Sequence, residues 1–255
     1  MPLTPLTPLI LSPALPSELL TYIIRHQQHP TTLIICSSQA AFLNSLVADA
    51  QESLEAASGE SQAPSLSPLL SGPLYQVAIA RHIRMLFVPT VSHLRACLSV
   101  FTTKDSRVPP PPPTTAQGQA RTSPLLLVYG FLALHRDTSE WSAQGISSTA
   151  TNLVEAARRV GFRAVVVDSS RAAAQDEDGT EELDTVDDGD GVVGSKTEQM
   201  LLSEEVPVLS ASARRAGADL DEADWTGRTV TLMRVLGRWF RYRQGHWAEE
   251  VHEDT

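Results

Sequence analysis

Lysine, aromatic and cysteine side chains are all scarce in this chain of 255 residues. Its two lysines, Lys104 and Lys196, fall in polar stretches, where neither would serve a phosphate-binding loop. Its two cysteines, Cys36 and Cys97, have apolar neighbours, which is typical of a reduced compartment rather than a disulfide framework.

Long apolar runs and a basic leader are missing as well. No run approaches the roughly 20 apolar residues that a membrane helix needs. The proline-rich beginning of the chain lacks the basic region of a signal peptide. We therefore expect an intracellular protein without a membrane partner.

The net charge of −10 comes almost entirely from one segment. Residues 176–190 contain nine acidic side chains and no basic one, so the rest of the chain carries only −1. The fragment at 188–191 lacks the twelve-residue loop and closing glutamate of an EF-hand, so a solvated linker is the default interpretation. The acidity belongs to this segment and does not exclude an anionic partner for the rest of the chain.

Short apolar runs alternate with helical patterns along the chain. The clearest run, residues 125–129, follows a proline and stops at Gly130, as in a strand that is buried on both faces. Comparable runs occupy residues 31–36, 81–88 and 163–168. The sequence predicts an α/β fold with a mostly parallel, doubly wound sheet, helices on both faces and a C-terminal β-hairpin.

The domain organisation follows from composition. A flexible N-terminal segment, residues 1–15, precedes a single domain of residues 16–255. Stretches rich in Ser, Pro, Gly or acid predict disordered insertions at 58–73, 104–122 and 170–203.

Several local features are predicted from helix signals. Ser17 and Thr90 are expected to be N-caps, and Gly161 the residue that ends a helix. A helix over 40–57 is expected to bury Phe42, Leu43, Leu46, Val47 and Leu54, whereas residues 77–80 are expected to form a short strand or a turn.

The residues for catalysis are not in place. The turn after the predicted strand 31–36 has neither the glycines nor the lysine of a phosphate loop, and Tyr129 ends the central strand where nucleotide hydrolases usually have an aspartate. Ser37 and Ser38 lack the Gly-x-Ser-x-Gly elbow of a hydrolase. His93 and Cys97 could face one metal, but two ligands make a weak site. We expect no catalytic residue, no metal and no cofactor.

The C-terminal segment 228–243 has five arginines, no acid and three aromatic side chains. It is interpreted as two strands joined at Gly237, with Trp239, Arg241 and Arg243 on one face; a helical alternative stays open. Arginines interleaved with aromatics suit single-stranded nucleic acid, whereas an edge hairpin with solvated arginines is the competing interpretation. The candidate nucleic-acid-binding residues are Arg234, Arg238, Trp239, Arg241 and Arg243.

Three segments together resemble a known family. The turn that replaces the phosphate loop, the Ile83–Leu98 pattern and the Leu125–Gly130 strand resemble the eukaryotic recombinase paralogs, which have a RecA-like fold. The likeness is to the small paralog that partners a SWIM-domain protein in Shu-type complexes, and it covers residues 31–168. The missing phosphate loop and Tyr129 depart from the Walker motifs of that fold, so the resemblance implies a scaffold without nucleotide chemistry.

The expected function follows from that resemblance. The chain would be a non-catalytic subunit of a nuclear homologous-recombination mediator acting in DNA repair, bound to another recombinase paralog or a SWIM-domain protein and to single-stranded DNA. One alternative is a structural RecA-like subunit of a tRNA-modifying, Elongator-type assembly. Another is a small-molecule enzyme of doubly wound fold, with its pocket near Ser37, Pro89, Tyr129 and Asp168.

Overall fold

A computed structural model describes residues 6–26, 29–58, 74–104, 124–170, 203–209, 228–245 and 247. Its strands are β1 Leu9–Leu11, β2 Thr31–Ile35, β3 Ile83–Phe87, β4 Leu125–Tyr129, β5 Arg163–Val167, β6 Glu205–Pro207, β7 Thr229–Thr231 and β8 Arg241–Arg243. The helices are α1 Pro16–His26, α2 Gln39–Ser58, α3 Leu74–Ala80, α4 Val91–Val100, α5 Phe131–His135, α6 Ala143–Val160 and α7 Leu232–Leu236. None of these helices is long and apolar enough to cross a membrane.

Six strands form one sheet in the order β3-β2-β4-β5-β1-β8. Every neighbouring pair is parallel, and Ile35, Tyr129 and Val167 lie side by side at the carboxyl ends of the three central strands. A separate antiparallel pair joins β6 to β7. The predicted fold class is confirmed: a mostly parallel sheet, with an antiparallel pair of strands in the C-terminal part.

Helices cover both faces of the sheet, as predicted. Alternate residues of β4 point to opposite sides, with Leu126 and Val128 in one hydrophobic cluster and Leu125, Leu127 and Tyr129 in the other. The first cluster also holds buried residues of α4, α5, α6 and α7; the second holds residues of α1 and α2. We refer to these as the α6 face and the α1 face.

Two helix boundaries confirm their sequence signals. The Thr90 side chain accepts a hydrogen bond from the amide of His93, at the start of α4. Gly161 ends α6 with φ 75°, in the left-handed region that glycine occupies without strain.

The N-terminal prediction needs correction. Residues 9–11 were expected to be part of a flexible segment, but they form β1 inside the sheet, between β5 and β8. Ser17 lies within the first turn of α1, after Pro16, so it is not the N-cap. Residues 77–80 belong to helix α3 rather than to a strand or turn.

Helix α2 turns fewer apolar residues inward than its pattern predicts. Phe42 is buried, whereas Leu43 and Val47 are 45% and 54% exposed. The buried Asp49 shares the inward side with Phe42, and its carboxylate reaches the start of α1. Leu43 and Val47 are therefore left on the flank of α2.

The C-terminal segment 228–243 is not a two-stranded hairpin. It is a strand, a short helix and a second strand, and β7 pairs with β6 whereas β8 pairs with β1. The helical alternative thus holds for residues 232–236. The predicted insertions and the acidic run 176–190 lie almost wholly outside the described residues.

Candidate functional site: the carboxyl ends of the strands and the β8 edge

The carboxyl ends of a parallel sheet are where doubly wound proteins bind ligands, at points where the chain leaves neighbouring strands in opposite directions. Strands β2 and β4 make such a point. After β2 the chain continues into α2 on the α1 face, and after β4 into α5 on the α6 face. The crevice between their ends is therefore where this type of fold predicts a ligand site.

Backbone contacts join the ends of β2, β4 and β5. The amide of Cys36 donates to the carbonyl of Tyr129 at 2.9 Å, and the amide of Gly130 donates to the carbonyl of Val167 at 2.8 Å. Gly130 has φ 78°, and a Cβ placed on it would lie 3.7 Å from the Cβ of Cys36. The chain after β4 thus turns directly over the end of β2.

Tyr129 stands at the end of β4 and points to the α1 face. Its hydroxyl donates a hydrogen bond to the carbonyl of Ala14 at 3.0 Å, and its ring packs edge-on against Phe42. Burial, opposed by a hydrogen bond to Ser169, raises the pKa of Tyr129 to about 12. The side chain in the aspartate's expected place is a neutral group that ties the turn after β1 to the sheet.

Asp168 follows β5 directly and is the buried carboxylate of this region. It accepts hydrogen bonds from the amides of Leu132 at 2.9 Å and Ala133 at 3.4 Å, at the start of α5. Burial raises its pKa to about 6, although those two donors and Arg136 oppose the shift. Asp168 therefore supplies the acceptor that Gly130, the N-cap residue of α5, cannot provide.

Cys36 is buried beside this carboxylate. Burial, and then the negative charge of Asp168, raise the pKa of the Cys36 thiol well above its ordinary value. A thiol that holds its proton is a poor nucleophile, so its environment is that of a packing residue.

Helix α1 starts after the turn that follows β1, the position where an anion would meet a helix N-terminus. The carboxylate of Glu18 accepts from the amide of Leu15 at 2.7 Å, and that of Asp49 accepts from the amide of Ser17 at 2.9 Å. Pro16 has no amide hydrogen to offer. Two amides at this helix start are therefore bonded to carboxylates of the same chain.

The turn after β1 is also held flat against the sheet. Ala14 forms a parallel bridge with Ser169, and its amide donates to the carbonyl of Asp168 at 3.0 Å. Ala14 is completely buried. This turn therefore extends the β-ladder beyond the end of β1.

The turn after β2 is a capped strand-to-helix connection. The hydroxyl of Ser38 accepts from the amide of Ala41 at 3.1 Å, at the start of α2, and Ser38 is exposed. Ser37 donates to the carbonyl of Ser38 at 3.3 Å, so each hydroxyl has a local backbone partner.

A polar network on the α6 face is buried at His135 and Thr149 and partly exposed at Arg95 and Glu140. Nδ1 of His135 donates to the carbonyl of Phe131 at 2.7 Å, and Nε2 lies 3.0 Å from the hydroxyl of Thr149. Arg95 donates to Thr149 and to Glu140, at 2.9 and 2.6 Å. Burial lowers the pKa of His135, so the ring is neutral and Nε2 is an acceptor for Thr149. The network joins α4, α5 and α6.

His93 and Cys97, judged too few for a metal site from the sequence, gain no third ligand among the described residues. His93 is exposed on α4, and Cys97 packs against the hydrophobic cluster of the α6 face. Among the described residues, no group of three or more His, Cys, Asp or Glu side chains could hold a metal ion.

The five candidate nucleic-acid-binding residues are divided between the two faces. Trp239 packs on the α6 face, where its indole donates to Ser147 at 3.2 Å. Arg234 is exposed on α7, and Arg238 is exposed just after it. Arg241 and Arg243 pair in register with Leu9 and Leu11, which belong to the α1 face. Trp239 thus does not share a face with Arg241 and Arg243.

We call Arg241 and Arg243 the arginine edge, because both are exposed on β8, the last strand of the sheet. An aromatic pair lies on the same face: Tyr22 and Trp247 meet edge to face, with ring centroids 5.1 Å apart. Ser12, one residue past β1, accepts from the amide of Gly245 and from the indole of Trp247, each at 2.9 Å. Sequence reasoning missed this pair, because it joins opposite ends of the chain.

The chain has only a distant structural likeness to known proteins. No family model and no curated protein match the chain. Among solved structures it is similar to a DnaB-like replicative helicase described with its interactions with primase, at 13% identity and a TM-score of 0.35. The match covers 69% of this chain and 43% of that one, so it spans less than half of the helicase. A likeness at this level assigns neither a fold family nor a function.

Proposed function

We propose that this protein is a non-catalytic RecA-like subunit of a nuclear homologous-recombination mediator of the Shu type. It would act by binding a recombinase paralog or a SWIM-domain protein. Through the arginine edge it would also bind single-stranded DNA. The sequence resemblance supplies the family. The parallel sheet is compatible with it, and the carboxyl end of that sheet supports the non-catalytic part.

The observation that carries the proposal is that polar groups at the ends of β1, β4 and β5 are hydrogen-bonded within the chain. Tyr129 bonds to the carbonyl of Ala14, Asp168 caps α5, and Glu18 and Asp49 take amides at the start of α1. A nucleotide would need those amides for its phosphates and an exposed carboxylate for magnesium. Each group already has a partner within the chain.

A nucleotide-binding measurement tests this part. Titration of the purified protein with MgATP and MgGTP in a calorimeter should give no binding heat at millimolar nucleotide. Saturable binding, or hydrolysis that is lost in Asp168→Asn, would favour the alternative of a small-molecule enzyme instead.

The DNA-binding part is supported by the arginine edge. Exposed arginines near an aromatic pair are the groups that meet phosphates and bases of a single strand. Fluorescence anisotropy with a labelled oligothymidine at low salt should show binding by the protein, alone or with its partners. If Arg241→Gln/Arg243→Gln leaves that binding unchanged, DNA does not bind at the arginine edge.

Partner identity separates the proposal from its closest rival. Affinity purification followed by mass spectrometry should recover a recombinase paralog or a zinc-binding SWIM protein. Recovery of Elongator subunits would instead favour the tRNA-modifying assembly, in which the chain would have the same non-catalytic scaffold role.

A further inference from the structure

The arginine edge lies close to the point where the acidic segment leaves the sheet. Residues 176–190 carry nine acidic side chains and no basic one. They follow β5, and β5 is separated from β8 only by β1. Neighbouring strands are about 4.8 Å apart, so β5 and β8 lie about 10 Å from each other.

Contacts at the carboxyl ends make this proximity specific. Ala14 bridges Ser169, just after β5, while Ser12 holds Gly245 and Trp247, just after β8. The short turn after β1 therefore touches both the place where the chain leaves β5 and the place where it leaves β8. Six residues beyond Ser170 the first acid appears, and six residues can span about 20 Å.

The charges are complementary. Arg241 and Arg243 are exposed, and neither takes part in the Arg95–Glu140 or the Arg136–Glu204 ion pair. The segment 228–243 contains no acid that could neutralise its five arginines locally.

We propose that residues 176–190 dock on the arginine edge of the same molecule and compete there with other polyanions. The attached segment has an effective concentration of about a millimolar, which a free ligand must overcome. This proposal concerns the arginine edge, the same surface that is proposed above to bind DNA. Docking of residues 176–190 can nevertheless be tested separately, because it does not require DNA to be the competing ligand.

Arginine footprinting tests the docking directly. The full-length protein would be treated with phenylglyoxal, and the modification rate of each arginine would be measured by mass spectrometry. In a variant with all nine acids changed to Asn or Gln, we expect Arg241 and Arg243 to react about fivefold faster than in the original protein. Salt at about 1 M, where the Debye length is about 3 Å, should produce the same rise without mutation.

The molecule offers its own controls. Arg234 belongs to α7, on the opposite side of the sheet, and its modification rate should not change. A variant with the residues of 176–190 in scrambled order keeps all nine charges and should behave as the original protein. Equal rates for Arg241 and Arg243 in the original and acid-free proteins, or an equal rise at Arg234, would overturn the proposal.

Oligothymidine binding then identifies the competitor. If DNA binds at the edge, the acid-free protein should bind it about tenfold more tightly at low salt, and Arg241→Gln/Arg243→Gln should remove that gain. A gain that persists without the two arginines reflects net charge alone and contradicts competition at the edge. A footprint change without DNA binding by any variant supports docking and rejects the DNA part of the proposed function.

Discussion

The carboxyl ends of β1, β4 and β5 differ sharply from the neighbouring β8 edge in what their polar groups do. At the first place, Tyr129, Asp168 and Asp49 are buried and bonded to the backbone of the same chain. At the second, Arg241 and Arg243 face solvent. The difference indicates that the polar groups at the carboxyl ends of these strands stabilise the fold, whereas the arginine edge leaves two charged groups exposed to solvent.

Tyr129→Ala should give the largest effect on stability. It removes the ring packed on Phe42 and the bond to Ala14, so we expect the free energy of unfolding to fall by about 3–5 kcal/mol. Tyr129→Phe, the control, loses only the hydroxyl and should fall by about 1 kcal/mol. Urea denaturation measures both changes. An unfolding free energy of Tyr129→Ala close to that of the original protein would mean that Tyr129 does not stabilise this end of the sheet.

The pH dependence of the unfolding free energy should reveal the titration of the Asp168 carboxylate. Its pKa is raised to about 6 in the folded protein from 3.8, so the folded state binds the extra proton between these values. The contribution of Asp168 to stability is therefore smallest above pH 6 and rises by about 1–3 kcal/mol as the pH falls towards 4. Comparing urea denaturation of the original protein with Asp168→Asn from pH 7.5 to 4.5 isolates this contribution. A constant difference between them would contradict the raised pKa.

Substitution of Asp49 should have the next largest effect on the free energy of unfolding. Asp49→Ala leaves the amide of Ser17 without its buried acceptor, and we expect a loss of about 1–2 kcal/mol in unfolding free energy. Asp49→Asn keeps an acceptor oxygen and should lose less. Thermal denaturation of the pair checks this, and equal losses would show that charge, rather than hydrogen bonding, holds α1 to α2.

The arginine edge should have the smallest effect on stability. Arg241→Gln/Arg243→Gln removes two exposed charges, so the unfolding free energy should change by less than about 0.5 kcal/mol. Arg95→Gln is the matched control, because Arg95 bonds to Thr149, Glu140 and Gly145, and it should destabilise clearly. If the two edge substitutions destabilise as much as Arg95→Gln, the contrast between the two regions fails.

The central strands and several caps could be predicted because their signals are local. The apolar run of β4, the threonine before α4 and the glycine after α6 need only neighbouring residues to be recognised. The two-sided core followed from the same runs, which is why the fold class was predictable from sequence. The strand order and register depend on pairing between distant segments and were not predicted.

The missed features depend on distant partners. β1 has three residues between Pro8 and Pro13, and it is a strand only because β5 and β8 pair with it. Asp49 caps α1 from another helix, and Trp247 meets Tyr22 from the far end of the chain. The basic segment was singled out from its composition alone, and α7 in its middle turns Trp239 away from Arg241 and Arg243.

The position of β1 also constrains the order in which the molecule can assemble. It precedes the other described strands in the sequence, yet its two neighbours in the sheet are β5 and β8. During translation β2, β3 and β4 can pair with one another as they emerge, whereas β1 must wait for β5 on one side and for β8 on the other. Pairing between such distant segments is slow, so a nascent chain would carry Leu9–Leu11 without its full set of strand partners until β8 has been synthesised.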